Sequence, residues 1–189
     1  MASILIVYAS KYGQTEKIIG YMEARARSFG ATVETFSAQS RVGVPDLADF
    51  DVVVVAAPVY VERYPGAIRR FIAEHRDAFN AHRCAMFLSV SAAWSAAAGH
   101  KAVQTLTAAF LDTTGWHPRK TDYLAGAVKY PRYNVFIRWV MRRIVARAGG
   151  DTDTRREFEY TDWSQADRIV DWIMIADTTP GDAGVDDGG

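Results

Sequence analysis

The stretch Ser3-Ile4-Leu5-Ile6-Val7-Tyr8-Ala9-Ser10-Lys11-Tyr12-Gly13-Gln14-Thr15 decides the fold. Residues 3–9 form a continuous apolar run rich in Ile and Val, the pattern of a strand buried on both faces. Gly13 breaks that pattern. Across residues 14–29, Ile18, Ile19, Tyr21, Met22 and Ala26 recur at helical spacing, and Gly30 closes the helix. A doubly buried strand followed at once by an amphipathic helix is the opening unit of a parallel α/β sheet.

The alternation continues downstream. Strands are predicted over residues 32–36, 51–57, 85–91 and 122–128, the second of these with consecutive valines from Val52 to Val55. Helices are predicted over 65–80, 101–113 and 162–177, the first opened by Pro65 or Gly66. The expected fold class is α/β, a doubly wound five-stranded parallel sheet of order 2-1-3-4-5. One domain is expected over residues 1–177, with residues 126–156 inserted before the last helix. The Gly- and Asp-rich residues 178–189 read as a disordered tail.

Composition narrows the function. The 189 residues carry 22 basic and 22 acidic side chains, so the formal charge is 22 − 22 = 0, which argues against a nucleic-acid partner. Cys84 is the one cysteine, excluding intrachain disulfides and cysteine-ligated clusters. His75, His82, His100 and His117 form no ligand spacing, and Asp151 with Asp153 are too few for a metal, so no metal site is expected. The N-terminus reads as a strand rather than a leader. The longest charge-free run, residues 84–99, is too short and too polar to span a bilayer.

In sheets of this type ligands sit at the carboxyl ends of the strands, near the switch in strand order. Three loops meet there. The first, Ser10, Lys11, Tyr12, Gly13, Gln14 and Thr15, joins hydroxyls and a glycine to a helix N-terminus, a combination suited to an anion. A plain strand–helix turn capped by Thr15 is the alternative. The second loop carries Pro58, Val59 and Tyr60. The third follows Phe87, Ser89, Val90 and Ser91 and reaches Trp94. Small and aromatic residues at strand ends suit a flat heteroaromatic ring, although each aromatic alone would also suit ordinary packing.

The insertion is the second distinctive segment. From Gly126 to Arg147 it has six basic residues, Lys129, Arg132, Arg138, Arg142, Arg143 and Arg147, and no acid, a local charge of +6. A helix is expected over 134–148, ended by Gly149 or Gly150. Ile137, Val140, Met141, Ile144 and Val145 form its charge-free arc, and Trp139 lies between two arginine columns. That face suits an anionic, flat or lipid-like partner. A solvated surface helix is the alternative reading.

Ser10-x-Tyr12-Gly13-x-Thr15 resembles the Thr-x-Thr-Gly-x-Thr phosphate loop of flavodoxins, with Tyr12 in place of a threonine. The segments Ala125-Gly126-Ala127-Val128-Lys129-Tyr130-Pro131-Arg132-Tyr133, Gly149-Gly150-Asp151-Thr152-Asp153-Thr154-Arg155 and Tyr160-Thr161-Asp162-Trp163 resemble the flavodoxin-like, quinone-dependent protoporphyrinogen IX dehydrogenases. Plain flavodoxins lack this insertion. The loop 91–100 departs from that family in being Ala-rich and nearly uncharged.

The resemblance implies FMN as cofactor and protoporphyrinogen IX as substrate. It implies three two-electron oxidations through flavin N5, with menaquinone or ubiquinone as acceptor, late in haem synthesis. No side chain stands out as catalytic; Glu62 and Tyr60 lie in the right loop without a clear role. Lys129, Arg132 and Arg138 are expected to pair the substrate carboxylates, and Tyr130, Tyr133 and Trp139 to face its ring. Thr154 is expected at the FMN edge from the resemblance alone. The expected location is cytoplasmic, peripheral on the inner face of the plasma membrane through the basic insertion. A flavodoxin-type electron carrier and an NAD(P)H-dependent quinone reductase on the same fold remain rivals. A receiver module does not, because the third strand ends in Ala56-Ala57-Pro58 where that module needs an acid.

Overall fold

Consecutive valines put β-branched side chains on both faces of one strand, and such a strand is stable only in the middle of a covered sheet. The computed structural model, which describes residues 1–40, 42–147 and 152–176, places it there. β1 (Ser3–Tyr8), β2 (Thr32–Ser37), β3 (Val52–Pro58), β4 (Ala85–Ser91) and β5 (Lys120–Ala125) form a parallel sheet in the order β2-β1-β3-β4-β5. Ile6 lies opposite Val54, and Val54 opposite Met86.

Alternate side chains serve opposite layers. Ile4, Ile6, Val52, Val54, Met86 and Leu88 pack under α1 (Gln14–Ser28) and α6 (Trp163–Ala176). Leu5, Val7, Val53, Val55 and Phe87 pack under α2 (Gly66–Glu74), α3 (Arg76–Ala81) and α4 (Ala97–Thr114). Each layer buries a continuous apolar face, the main source of stability in a fold of this size. Asp162 starts α6 by accepting the Ser164 N–H at 2.9 Å and the Ser164 hydroxyl at 2.6 Å. That hydroxyl holds the Asp162 carboxyl below the usual carboxylate range.

Four elements depart from the sequence expectation. The helix predicted over 65–80 is two helices. The His75 ring stacks on Phe71 with centroids 4.5 Å apart and shares the Phe71 carbonyl at 2.9 Å, holding His75 at φ −117. The helix predicted from 101 starts at Ala97, because alanines propagate a helix that Gly99 lets settle on the preceding turn. The strand predicted over 122–128 is β5, a break at Gly126, and a separate β6 (Ala127–Lys129). β6 pairs antiparallel with β7 (Glu157–Glu159), which is too short to show a period in sequence. The insertion therefore closes on itself later than expected, and the Tyr160 N–H donates to the Gly126 carbonyl at 3.0 Å.

Between β6 and β7 lie a 3-10 turn, Tyr130–Arg132, and α5 (Val135–Arg147). Val128, Tyr130, Tyr133 and Val145 form a small core of their own, flanked by Tyr12, Met141 and Phe158. The side chains of Ile137, Ile144 and Arg147, the glycine stop at 149–150, Asp151 and the tail from 178 lie outside the described residues.

Gly99 gives a test with a decisive sign. Alanine ordinarily stabilises a helix interior relative to glycine by about 1 kcal/mol. Here a Cβ would overlap the Ala93 carbonyl oxygen. Gly99→Ala should therefore destabilise the protein by about 2 kcal/mol, read as a lower urea midpoint at unchanged m-value.

Candidate functional site

At the carboxyl end of β1 the chain must turn sharply to enter α1. Gly13 makes that turn at φ +83, a conformation that strains other residues, and no side chain caps the helix. The loop amides find partners of convenience. The Ser10 hydroxyl accepts the Gly13 N–H at 3.1 Å, and the Tyr60 hydroxyl accepts the Lys11 N–H at 3.2 Å. Thr15 is 1% exposed, and its hydroxyl has no partner. The Gln14 amide nitrogen donates to Thr161 at 3.0 Å, while its buried oxygen also lacks a partner. Buried polar atoms are nearly always paired, so an orphaned hydroxyl at a helix N-terminus marks a place for an anion.

The second loop is strained. Tyr60 and Arg63 exchange N–H···O bonds of 2.9 and 3.0 Å across a two-residue turn. Val61 and Glu62 between them hold φ +46 and +56. A β-branched residue there is an outlier, and outliers of this kind concentrate at functional sites. The turn presents Tyr60 to the first loop, with its ring edge-on to Tyr12 at 5.4 Å.

These loops and the insertion enclose one cavity with about 30 Å³ of free space. Its walls include Tyr12, Gln14, Thr15, Pro58, Val59, Tyr60 and Val90, all expected from the sequence. They also include Ala92, Gly126, Ala127, Lys129, Tyr133 and Met141. The structure thus brings the first two loops together with the insertion. Ala92, Gly126, Ala127 and Met141 were not read as site residues. Gly126 carried a signal, since a Cβ there would sit 3.2 Å from Val90 Cγ1.

The third loop contributes less than expected. Phe87 is fully buried against Tyr64, Phe110 and Trp116, because its side chain faces the α2–α4 layer. The Ser89 hydroxyl is spent on Tyr64 at 2.7 Å. The Ser91 hydroxyl accepts the Ala93 N–H at 3.3 Å and starts the following 3-10 turn. Trp94 stacks between His100, at 4.0 Å, and Tyr123, at 4.3 Å, away from the cavity. Thr154 is half-buried in the turn before β7 and is not in the cavity wall.

The expected substrate residues divide. Arg138 clamps the insertion, donating to the carbonyls of Tyr130 at 3.2 Å and Tyr133 at 3.0 Å. Arg132 pairs with Glu157 at 2.8 Å and reaches the Tyr12 carbonyl at 3.5 Å. Tyr130 is fully buried in the insertion's own core. Arg138 and Tyr130 are committed to structure and Arg132 is engaged in part, because the short β6–β7 pair cannot hold the insertion alone. Tyr133 is buried too, but at the cavity. It packs on Tyr12 at 4.8 Å, and its hydroxyl accepts the Lys129 N–H at 3.1 Å. Burial pushes the Tyr133 phenol up to about 12. Trp139 is exposed with the Arg143 guanidinium 5.0 Å over its ring, beside exposed Val135 and Phe136.

The donor set suits a phosphate and the aromatic walls suit a ring. A ring-sized ligand needs roughly 300 Å³ or more, so the cavity as it stands is too small to enclose one. Among the described residues, no carboxylate or imidazole lines the cavity. The described residues also contain no group of three or more potential metal ligands and no helix long and apolar enough to cross a membrane.

Comparison with known proteins agrees with this geometry. The flavodoxin-domain family pattern matches residues 5–155, and the chain belongs to that family. Within it, the chain is 29% identical over 161 residues to the Escherichia coli K12 protein named protoporphyrinogen IX dehydrogenase (quinone), covering 85% of this chain and 88% of the relative. A Leishmania major protein of the same name is 29% identical over 171 residues, covering 88% of this chain and 72% of that one. In fold, the chain superposes on a short-chain flavodoxin associated with a PDU bacterial microcompartment. The TM-score is 0.51 at 16% identity, over 74% of this chain and 92% of the other.

Two outcomes test the site. Thr15→Val should leave the cofactor-free protein as stable as wild type or more so, because it deletes an unpaired buried hydroxyl. The same change should weaken FMN binding about tenfold in a fluorescence titration. Tyr133 gives a pH dependence. Its phenol keeps the proton to about 12 when folded and to about 10 when unfolded, so its contribution is intact below pH 10 and lost as pH rises towards 12. Tyr133→Phe should make alkaline denaturation over that window shallower.

Proposed function

We propose that this protein is an FMN-dependent oxidoreductase that converts protoporphyrinogen IX to protoporphyrin IX in haem synthesis and passes the electrons to a membrane quinone, menaquinone or ubiquinone. The observation that carries the reading is the orphaned Thr15 hydroxyl at the α1 N-terminus, in a cavity whose outer wall is the insertion. The names of the two relatives support the choice of substrate and acceptor.

FMN, when bound, would supply the two-electron redox chemistry, and three rounds with three acceptor molecules would account for the six electrons between porphyrinogen and porphyrin. The chain's own residues bind and orient. Gly13, Gln14 and Thr15 hold the phosphate with backbone N–H groups and a hydroxyl. Tyr12, Tyr60 and Tyr133 flank the ring and exclude water. Of the three basic residues first expected to pair the substrate carboxylates, Lys129 is the one at the cavity wall with no ion pair among the described residues. It is the candidate partner for one propionate.

The exposed face of α5 gives the acceptor a route. Val135, Phe136 and Trp139 offer apolar surface, and Arg142 and Arg143 lie exposed alongside. A helix of that make-up rests on an anionic bilayer with its apolar side chains among the acyl chains. The protein would then sit on the cytoplasmic face of the membrane, where the quinone dissolves.

One anaerobic experiment tests the chain of claims. Protoporphyrinogen IX should bleach the FMN absorbance of the loaded protein, with porphyrin fluorescence appearing. Anionic vesicles carrying menaquinone should restore the absorbance faster than zwitterionic ones, and Arg142→Glu with Arg143→Glu should remove that difference. If NAD(P)H reduces the flavin and porphyrinogen does not, the protein is a quinone reductase instead. Reduction only by a protein donor would make it a carrier.

A further inference from the structure

Arg132 occupies an unusual position for a residue of the insertion. Its guanidinium carries a 2.8 Å bond to Glu157 on β7 and, at 3.5 Å, touches the Tyr12 carbonyl in the loop after β1. It is also the group nearest the open side of Gly13, where a Cβ would lie 3.9 Å from its Nη1. The side chain therefore spans from the β6–β7 pair to the turn that aims the α1 amides. The partners at its two ends differ in strength. Glu157 is a full charge but 41% exposed, so water weakens the pair. The Tyr12 carbonyl is neutral and at the limit of a hydrogen bond. Two residues beyond Gly13 in the same loop, the Thr15 hydroxyl is buried without a partner. The loop thus has a helix N-terminus, an orphaned buried donor and a guanidinium held at its edge by weak contacts.

We propose that Arg132 is a specificity-determining residue for the terminal phosphate of the flavin, shared between Glu157 and the phosphate, so that the insertion helps the protein select FMN over flavins lacking that group. The proposal rests on the flavin reading above and deepens it. A phosphate ester on the Gly13–Thr15 amides brings up to two negative charges to within reach of a flexible arginine, which can take an additional charge-assisted bond there. Glu157 competes for the same guanidinium. On this proposal Arg132 serves the flavin rather than the substrate carboxylates.

The competition gives the test opposite signs. Apoprotein is titrated with FMN and with riboflavin, and binding is read from quenching of flavin fluorescence. Arg132→Gln should weaken FMN about fivefold, leave riboflavin unchanged, and make FMN affinity less sensitive to salt. Arg132→Lys should recover part of the loss. Glu157→Gln, which frees the guanidinium, should bind FMN as tightly as wild type or tighter. A purely structural pair predicts instead that Arg132→Gln and Glu157→Gln weaken both flavins alike. That result overturns the proposal, as does unchanged FMN affinity in Arg132→Gln; circular dichroism confirms that each variant is folded. If the wild-type protein binds neither flavin, the cofactor reading itself falls and takes this inference with it.

Discussion

Everything at the functional end of this molecule depends on the left-handed turn at Gly13. β1 is paired on both sides, to β2 and to β3, so its direction is fixed by the sheet. α1 must lie back across the sheet to cover Ile4 and Ile6. A single residue reconciles the two directions, and it does so with no capping side chain. The cost is a helix start without a side-chain cap and a buried hydroxyl without a partner. The protein tolerates that local deficit because both sheet faces are thoroughly buried.

The insertion is built to lean on that loop. β6 and β7 are three residues each, far too short to stand alone. Side chains complete the attachment: Arg138 on the carbonyls of Tyr130 and Tyr133, Arg132 on Glu157, Lys17 on Glu159. Tyr133 then lodges against Tyr12. Arginines that looked like ligand-binding groups in the sequence prove to be partly scaffolding. Their positive charge is the same in either role, so charge counting alone does not separate the two.

The sheet was legible because burial on both faces writes itself as runs such as Val52–Val55, and each intervening helix shows its apolar spacing. The turn after β1 was legible because a glycine and hydroxyls fall where that strand must pass into α1. In the third loop the side chains divide by periodicity, with Val90 at the cavity. Phe87 and Ser89 share one parity along β4, and that parity faces the α2–α4 layer. The stack of Trp94 between His100 and Tyr123 was not legible, because its partners come from other elements and no local pattern reveals such a contact. β7 escaped notice because three residues carry no period.

The charge distribution has a mechanical consequence. The chain is neutral overall, yet Gly126–Arg147 carries +6, so the remainder carries 0 − 6 = −6. Such a molecule feels almost no net pull in a uniform field but a strong torque. Near any negatively charged sheet it rotates before it is drawn in, and the basic pole leads. Lys129, Tyr133 and Met141 of that segment also line the cavity, so the same rotation turns this wall of the cavity with the pole. Neutrality here is a compass needle rather than an absence of electrostatics.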